Sequence, residues 1–485
     1  MLELNIIRYV SSFLSIAFII KAIVIIVVSL VIIIVLSHII YYLYSFKLKP
    51  NLENNSMLIT ENHPFVSIHL PVRSEPIDLI KQFIENIKKL NYPTSAFELL
   101  ILSDDDEIYV QNVRKLVKEY VENGLNIKVL SRSSYSGFKA GALNRLLCES
   151  KGEYIVVFDV DSKPPSNFLT KTINYLEFNK EFAALIVRWK PYNTLSTPIS
   201  EAQALSLNFL SKVLFDGREA LGSPIFLTGN GCVIRKKVLE NIGGWPEGTL
   251  IEDIDLSIKL LINGNKIKYL YDVELPIEVP ETYHALKKQQ KRWVYGATQV
   301  FMNNFWNIIK SNIPLRWKFE IIFHVIQYHA LLLNIILIIL SLSSLVLDFD
   351  VLSMNMYYLV SLIPFISIYA LVYYHSTRDV IAYSKRRRII DIGRNAAVTG
   401  ALALVVFISS LKALLKIKEV WHVTPKGKFS NKFKDVEKSE VILSTVCYLS
   451  SIVMLLKGYI LSATCLLLFG LPYIYVLIRT IGNKW

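Results

Sequence analysis

Two aspartates, Asp159 and Asp161, follow directly after the apolar run at residues 154–158 and are separated by one residue. Two carboxylates on one short turn can hold a divalent cation, which bridges diphosphate oxygens and neutralises a departing nucleotide. Such pairs also occur in ordinary surface turns. The position after a buried strand favours a metal and diphosphate site, because ligands of open sheets lie at the carboxyl ends of strands.

Two further groups precede this pair in the chain. Asp104 and Asp105 follow the apolar run 98–102 and can accept hydrogen bonds from a base or a ribose, or form a solvated turn or a helix N-cap. Lys139 lies in residues 136–144, which open a helix, and an ammonium group there suits a phosphate. The alternative for Lys139 is an ordinary surface lysine.

A second acidic pair, Glu252 and Asp253, precedes residues 256–261, which show helical periodicity. A carboxylate at this position can take the proton of an acceptor hydroxyl while that oxygen attacks an anomeric carbon. The alternative is simple charge complementarity with a helix N-terminus. Small residues at 226–231 allow close backbone approach of a substrate, and Trp245 either forms an acceptor platform or packs a turn.

Gln289, Arg292 and Trp293 share one face of a predicted helix, since they are spaced i, i+3 and i+4. Arginine can clamp a diphosphate and stabilise the charge of a leaving group, and tryptophan can stack on a sugar ring. A basic amphipathic helix at a membrane surface would show the same composition. The two interpretations are compatible.

The elements that carry these residues alternate between strands and helices. This order predicts a mostly parallel sheet with helices on both faces. The predicted strands are residues 67–70, 98–102, 127–130 and 154–158, and the predicted helices include 77–90 and 110–123.

Composition places this domain in a membrane protein. The chain has 485 residues, 53% of them hydrophobic, and a net charge of +13. In such a chain the positive charge indicates a basic surface facing the cytoplasm rather than nucleic-acid binding. The four cysteines are scattered, which indicates neither zinc nor a disulfide framework.

Long apolar segments flank the predicted sheet. Residues 21–44 are long enough to span a bilayer, and residues 11–20 extend that helix, form a short second span or lie at the interface. We expect an N-terminal transmembrane region at 1–50, a cytoplasmic catalytic domain at 60–300, and interface and transmembrane helices at 301–485. Later apolar segments occupy residues 321–347, 356–374, 395–416, 441–457 and 459–479.

Loop charges predict the orientation of these segments. The acidic loop 348–355 is expected outside, and the basic loops 378–394 and 416–438 are expected inside. Two successive inside loops cannot flank a crossing, so residues 395–417 are predicted to be interfacial or re-entrant. Hydropathy alone would make this segment a fifth crossing.

Residues 66–301 resemble family 2 glycosyltransferases of the processive, membrane-embedded kind, the cellulose, mannan, hyaluronan and chitin synthases. The resemblance rests on the motifs described above and on the Gly-Phe-Lys-Ala-Gly run around Lys139. Residues 421–426, Trp-His-Val-Thr-Pro-Lys, also resemble the gating loop of cellulose synthases, with tryptophan in place of phenylalanine.

The resemblance implies a GT-A fold and an inverting single displacement that uses Mg²⁺ or Mn²⁺, with no covalent sugar–enzyme intermediate. Asp253 would be the general base, and Asp161 with Asp159 would hold the metal. The remaining implied contacts to nucleotide, diphosphate or acceptor are Glu75, Asp104, Asp105, Lys139, Gln289, Arg292, Trp293, Thr424 and Lys426. Glu75 follows Arg73 and Ser74 where relatives have a Tyr-Asn-Glu start, so the resemblance does not distinguish UDP from GDP.

The expected function is transfer of hexose units from a UDP- or GDP-hexose to a growing β-linked glycan at the cytoplasmic face of the cell membrane. The polymer would pass through the helices of the same chain across the lipid bilayer. One alternative is transfer of a single sugar to a polyprenyl phosphate or glycolipid. Another is a non-catalytic transporter or scaffold with a degenerate transferase domain, which the full set of expected carboxylates disfavours.

Overall fold

The computed structural model describes residues 2–48, 63–132, 135–378, 380, 385–419 and 438–481. Seven strands form a single sheet in the order β3-β2-β1-β4-β6-β5-β7. The strands are β1 (Val66–Val72), β2 (Phe97–Ser103), β3 (Ile127–Ser131), β4 (Tyr154–Val157), β5 (Phe182–Pro191), β6 (Cys232–Arg235) and β7 (Lys266–Ile277).

The sheet is parallel except at one strand. Strand β1 pairs in parallel with β2 and β4, β2 with β3, and β5 with β7. Strand β6 runs antiparallel to both of its neighbours, β4 and β5. The prediction of a mostly parallel sheet is therefore confirmed, as are the four predicted strands, whereas β5, β6 and β7 were not predicted. Because β6 is reversed, its amino end meets the carboxyl ends of the other strands.

Helices cover both faces of the sheet. Neighbouring residues of β2 point in opposite directions: Leu99 and Ile101 pack into one apolar cluster and Leu100 and Leu102 into the other. The helices of this region are α2 (Ile77–Ile87), α3 (Glu107–Glu122), α4 (Phe138–Glu149), α5 (Phe168–Phe178), α6 (Pro198–Phe209), α7 (Asp216–Leu221), α8 (Lys236–Asn241), α9 (Glu252–Ile262) and α10 (Tyr283–Lys310).

Apolar helices lie on both sides of the sheet region in the chain. Within the described residues, four helices are long and apolar enough to cross a membrane, or up to six if two bent pairs each count as one span. Residues 11–20 continue the first helix rather than forming a separate one. The α-helices of these regions, some of which are parts of one candidate span, are α1 (Leu2–Ser45), α11 (Leu315–Ile326), α12 (Leu332–Leu347), α13 (Met356–Val360), α14 (Ile363–Ser376), α15 (Lys385–Ala401), α16 (Ala403–Leu414), α17 (Lys438–Leu456) and α18 (Ile460–Ile481).

The basic residues around position 387 belong to a helix and not to a loop, which corrects the predicted helix start at residue 395. Helix α15 begins ten residues earlier, at Lys385. Arg387 and Arg394 bind the carboxylate of Glu201 on α6 at 3.0 and 3.1 Å, and Arg394 also contacts Asp391 at 2.9 Å. This pairing lets the charged run be helical and packed. The assignment of residues 395–417 to the interface stays a prediction, because residues 386–414 also meet the length and hydropathy of a membrane span.

Candidate active site

A cavity of about 480 Å³ lies at the carboxyl edge of the sheet. The resemblance gave ten of the described residues a role as base, metal ligand or substrate contact, and nine of them line it: Glu75, Asp104, Lys139, Asp159, Asp161, Asp253, Gln289, Arg292 and Trp293. Asp105 does not line it, and Thr424 and Lys426, with the whole of residues 421–426, lie outside the described residues. Motifs that are far apart in the chain are therefore brought to one site.

The turn that carries Asp159 and Asp161 is held by a residue that the sequence did not single out. Asn230 accepts hydrogen bonds through its side-chain oxygen from the Asp159 amide at 3.1 Å and from the Ser162 hydroxyl at 2.7 Å. Its own carbonyl accepts from the Trp189 indole at 2.9 Å. Asn230 lies two residues before β6. Because β6 is antiparallel to β4, the start of β6 lies beside the carboxyl end of β4, and so does Asn230.

Lys139 is the central cation of the cavity. It lies in the first turn of α4, as predicted, and its ammonium group donates to Asp159 Oδ1 at 2.9 Å and to the Gly229 carbonyl at 3.0 Å. Glu252 Oε1 is 3.7 Å away. Burial acts to lower the pKa of Lys139, but Asp159 and Glu252 outweigh it and raise the pKa above its usual value. The group is a permanent positive charge beside two carboxylates.

Asp253 opens onto the same cavity from the first turn of α9. Burial, and then the neighbouring Glu252 carboxylate, raise the pKa of Asp253 to about 7, against the opposing effect of Lys139. A carboxylate with a pKa near neutrality is suited to accept a proton from a hydroxyl. Gly229 lies so close that a Cβ atom there would be 2.8 Å from Asp253 Oδ2, and its φ of +65° also favours glycine.

The two aspartates after β2 have different surroundings. Both oxygens of Asp104 accept from the guanidinium of Arg132, with Nη2 at 2.7 Å from Oδ2, and Arg132 also holds the Phe138 carbonyl at 2.8 Å. Asp105 accepts from the amide and the hydroxyl of Ser74, at 2.9 and 2.8 Å. Both aspartates therefore shape the loops around the cavity, and their direct contact with a nucleotide stays a prediction.

Helix α10 supplies part of the cavity wall. Gln289, Arg292 and Trp293 lie on this helix, as predicted, and all three face the cavity. Trp245, in contrast, is only 2% exposed and its backbone is held by Asn144, so it packs a turn and does not offer an acceptor platform.

The residues present fit a divalent cation whose remaining ligands would come from a diphosphate. Among the described residues no group of three or more His, Cys, Asp or Glu side chains is placed to hold a metal ion. Asp159 and Asp161 nevertheless share the cavity. Two carboxylates suffice for Mg²⁺ when substrate phosphates and water supply the other ligands.

Comparison with known proteins shows which proteins this chain is similar to. Residues 154–377 match the family described as glycosyl transferase family group 2. A probable glycosyltransferase of Sulfolobus acidocaldarius is 28% identical over 451 residues, which cover 91% of this chain and 95% of that protein. A probable glucomannan 4-beta-mannosyltransferase of Arabidopsis thaliana is 31% identical over 53% of this chain and 50% of its own length. The chain thus spans about half the length of this plant relative.

The fold has a counterpart among solved structures. A mannosyltransferase from Pyrobaculum calidifontis aligns with a TM-score of 0.51 and 17% identity, over 82% of this chain and all of that one. The predicted GT-A-type domain, flanked by candidate membrane helices, is thereby confirmed. Residues 154–377 therefore resemble a family 2 glycosyltransferase domain, and the chain is a glycosyltransferase.

Proposed function

We propose that the protein is an inverting, membrane-embedded transferase that extends a β-linked polysaccharide with hexose units from a nucleotide-hexose. The observation that carries this proposal is the extent of the cavity. It runs from Glu75 and Asp104 at the sheet edge, past Asp253, to Leu331 and Leu402 beside the apolar helices α12 and α16. This lining suits a nucleotide-sugar at the sheet edge and an acceptor glycan beside the helices.

The roles of the side chains follow from their positions. Asp253 takes the proton of the acceptor hydroxyl as its oxygen attacks the anomeric carbon, and the nucleoside diphosphate leaves from the opposite face of the sugar. Arg292 and Lys139 counter the charge that develops on the diphosphate. Asp159 and Asp161 would hold Mg²⁺ or Mn²⁺, which supplies further neutralisation of the leaving diphosphate when bound.

GDP-mannose is the first donor to test. The plant relatives are named as glucomannan mannosyltransferases, and the Pyrobaculum enzyme was solved with GDP-mannose and Mn²⁺. Trp293 faces the cavity where an acceptor sugar could stack on its ring. Export of the polymer through the helices of this chain, with the catalytic domain on the cytoplasmic side of the plasma membrane, completes the proposal.

Product analysis tests the proposal. Purified protein receives radiolabelled GDP-mannose, UDP-glucose or UDP-N-acetylglucosamine with Mg²⁺ or Mn²⁺, and Asp253→Asn serves as the inactive control. A large, water-soluble product supports a polysaccharide synthase and identifies its donor. A single labelled species in the organic phase would replace the proposal by transfer to a lipid. Proteoliposomes that never accumulate polymer in the lumen would contradict export.

A further inference from the structure

A buried histidine of α11 lines the same cavity as Asp253. His324 is 3% exposed, and it belongs to the lining together with Gln327 and Tyr328, which follow it in the chain. These residues lie where the chain turns from α11 towards α12, since residues 315–329 and 332–347 are bent by 54° relative to one another. The transfer reaction described above gives none of the three a role.

The contacts of His324 determine which nitrogen of its ring carries the proton. Nδ1 lies 3.2 Å from Nη1 of Arg218, which is fully buried, and 3.0 Å from Nε2 of Gln327. A guanidinium group offers only N–H donors and no acceptor. Nδ1 of His324 therefore accepts this hydrogen bond and has no proton, so the proton of the ring is on Nε2.

The N–H group on Nε2 has no hydrogen-bond partner within the part of the chain that the structure describes. Buried polar groups of side chains are nearly always hydrogen-bonded in folded proteins. The ring is also held in its orientation, because it stacks on Phe226 with 3.8 Å between the centroids and an angle of 9° between the planes. It cannot turn to find an acceptor without losing the contacts with Phe226 and Arg218. The lining thus presents a fixed donor that lacks its acceptor.

The surroundings of this donor suit a sugar. The ring of Tyr328 is perpendicular to that of His324, with 6.1 Å between the centroids. Leu331 and Leu402 line the cavity as well. A pyranose carries hydroxyl oxygens on its edge and apolar C–H groups on its faces, so an N–H donor among aromatic and apolar side chains can bind both.

The position of His324 favours the acceptor sugar over the donor nucleotide. Its stacking partner Phe226 is three residues from Gly229, which is a distance of at most about 11 Å along the chain. Gly229 lies against Asp253. His324 is therefore held near the proposed base, where the attacking hydroxyl of an acceptor must lie.

We infer that His324 binds the acceptor glycan by donating a hydrogen bond from Nε2 to a hydroxyl oxygen of a sugar near the growing end. The inference rests on the proposed transfer to a glycan and adds an acceptor-binding residue to it. Arg218 and Gln327 act through His324, because they keep its proton on Nε2. The nucleotide is expected beside Glu75 and Asp104, so His324 should affect the acceptor and not the donor.

Two substitutions of His324 separate the roles of its two nitrogens. An asparagine side chain places its amide near the position of Nδ1, and a glutamine side chain places its amide near that of Nε2. His324→Asn therefore keeps an acceptor for Arg218 and removes the donor. His324→Gln keeps the donor and removes the acceptor for Arg218.

Steady-state transfer by the full chain in detergent measures both effects. The donor is GDP-mannose, UDP-glucose or UDP-N-acetylglucosamine, whichever forms polymer, and the added acceptor is mannotetraose, cellotetraose or chitotetraose to match. His324→Asn is expected to raise the KM for the tetrasaccharide about fivefold, the effect of one lost hydrogen bond, with the KM for the donor unchanged. His324→Gln should keep the KM of the parent for the tetrasaccharide. His375→Asn, at an exposed position of α14, is the control and should match the parent.

Three outcomes would overturn the inference. An unchanged KM for the tetrasaccharide in His324→Asn would mean that Nε2 does not contact the acceptor. A larger effect of His324→Gln than of His324→Asn would show that His324 only holds Arg218. An equal rise of both KM values in His324→Asn would indicate a general distortion of the cavity. Each of these results leaves polymer synthesis by the parent intact, whereas a parent that forms no polymer from any donor would remove the proposed function and this inference together.

Discussion

The side-chain amide of Asn304 donates a hydrogen bond of 2.9 Å to Oδ1 of Asp255, and both residues are buried. This bond joins α9, which begins with Glu252 and Asp253, to α10, which carries Arg292. Thr249 donates to the second oxygen of Asp255 at 3.3 Å. The helix with the proposed base and the helix with Arg292, which we propose binds the diphosphate, are thereby fixed relative to one another.

Replacing Asn304 tests this coupling. Asn304→Ala leaves one oxygen of a buried carboxylate without its partner, and we expect a loss of stability of about 1–3 kcal/mol. Turnover should fall as well, because Asp253 and Arg292 lose their fixed separation. Thermal unfolding and steady-state kinetics measure the two effects. Asn303→Ala, at the exposed neighbouring position, is the control, and equal behaviour of the two variants would show that the bond does not matter.

Gly229 offers a test with an internal control for backbone strain. A Cβ atom at this position meets Asp253 Oδ2 at 2.8 Å, whereas one at Gly222 meets nothing within 4 Å, and the φ angles are similar at +65° and +67°. Both alanine variants carry the left-handed strain of about 1 kcal/mol. Only Gly229→Ala should also displace the proposed base, so we expect its turnover to fall at least about tenfold. Similar turnover in Gly222→Ala and Gly229→Ala would contradict this close contact.

The residues that the sequence could predict share one property. Asp159 and Lys139 each stand at the end of an element whose apolar period is clear from the sequence. The sheet then brings these ends together, because its parallel strands finish at one edge. Local order was therefore sufficient to identify nine residues that the fold brings into one cavity.

The residues that the sequence did not predict depend on contacts distant in the chain. Asn230 reaches Asp159 only because β6 runs against its neighbours, and a short apolar run does not show the direction of its strand in the sheet. Arg132 forms a salt bridge with Asp104, and the two residues are 28 positions apart in the sequence. The charged start of α15 resembled a loop for the same reason, since its partner Glu201 lies on α6. The residues around a position in the sequence do not show which distant residue it will contact.

Asp253 should control the pH dependence of transfer. Its pKa of about 7 means that the carboxylate is largely protonated in mildly acidic solution, so turnover should fall as the pH drops below about 7. Asp253→Asn should lower turnover at least about 100-fold, the contribution of a general base, while donor binding persists. Rapid-quench measurement of transfer, with donor affinity measured separately, checks both. A pH-independent rate, or retained turnover in the variant, would remove Asp253 as the base.

The same pKa shift has a consequence for stability. A carboxylate whose pKa is raised in the folded protein binds protons more readily there than in the unfolded chain, so stability decreases as pH rises from the ordinary pKa of 3.8 to about 7. Asp253→Asn cannot ionise. It should therefore unfold at a higher temperature than the parent above about pH 7 and at an equal temperature below the ordinary pKa. The opposite order of the unfolding midpoints would contradict the raised pKa.

Asp161 should set the metal requirement. Asp161 is 6% exposed and lines the cavity with Asp159. We expect a chelator to abolish transfer and Mg²⁺ or Mn²⁺ to restore it. Asp161→Asn should raise the metal concentration for half-maximal rate at least about tenfold, whereas Asp78→Asn, at an exposed position of α2, should not change it. Full activity of Asp161→Asn at the same metal concentration would contradict its role as a ligand.

Lys139 connects the metal side of the cavity with the base side, since it contacts Asp159 and lies near Glu252. Its positive charge holds the pKa of Asp253 down. Lys139→Met should therefore move the acidic limb of the pH–rate profile to higher pH. It should also raise the KM for the donor, because the proposed contact with the diphosphate is lost. Lys139→Arg keeps the charge and should preserve the limb while still raising the KM. A limb that stays in place in Lys139→Met would show that Lys139 does not act on Asp253, even if the KM rises.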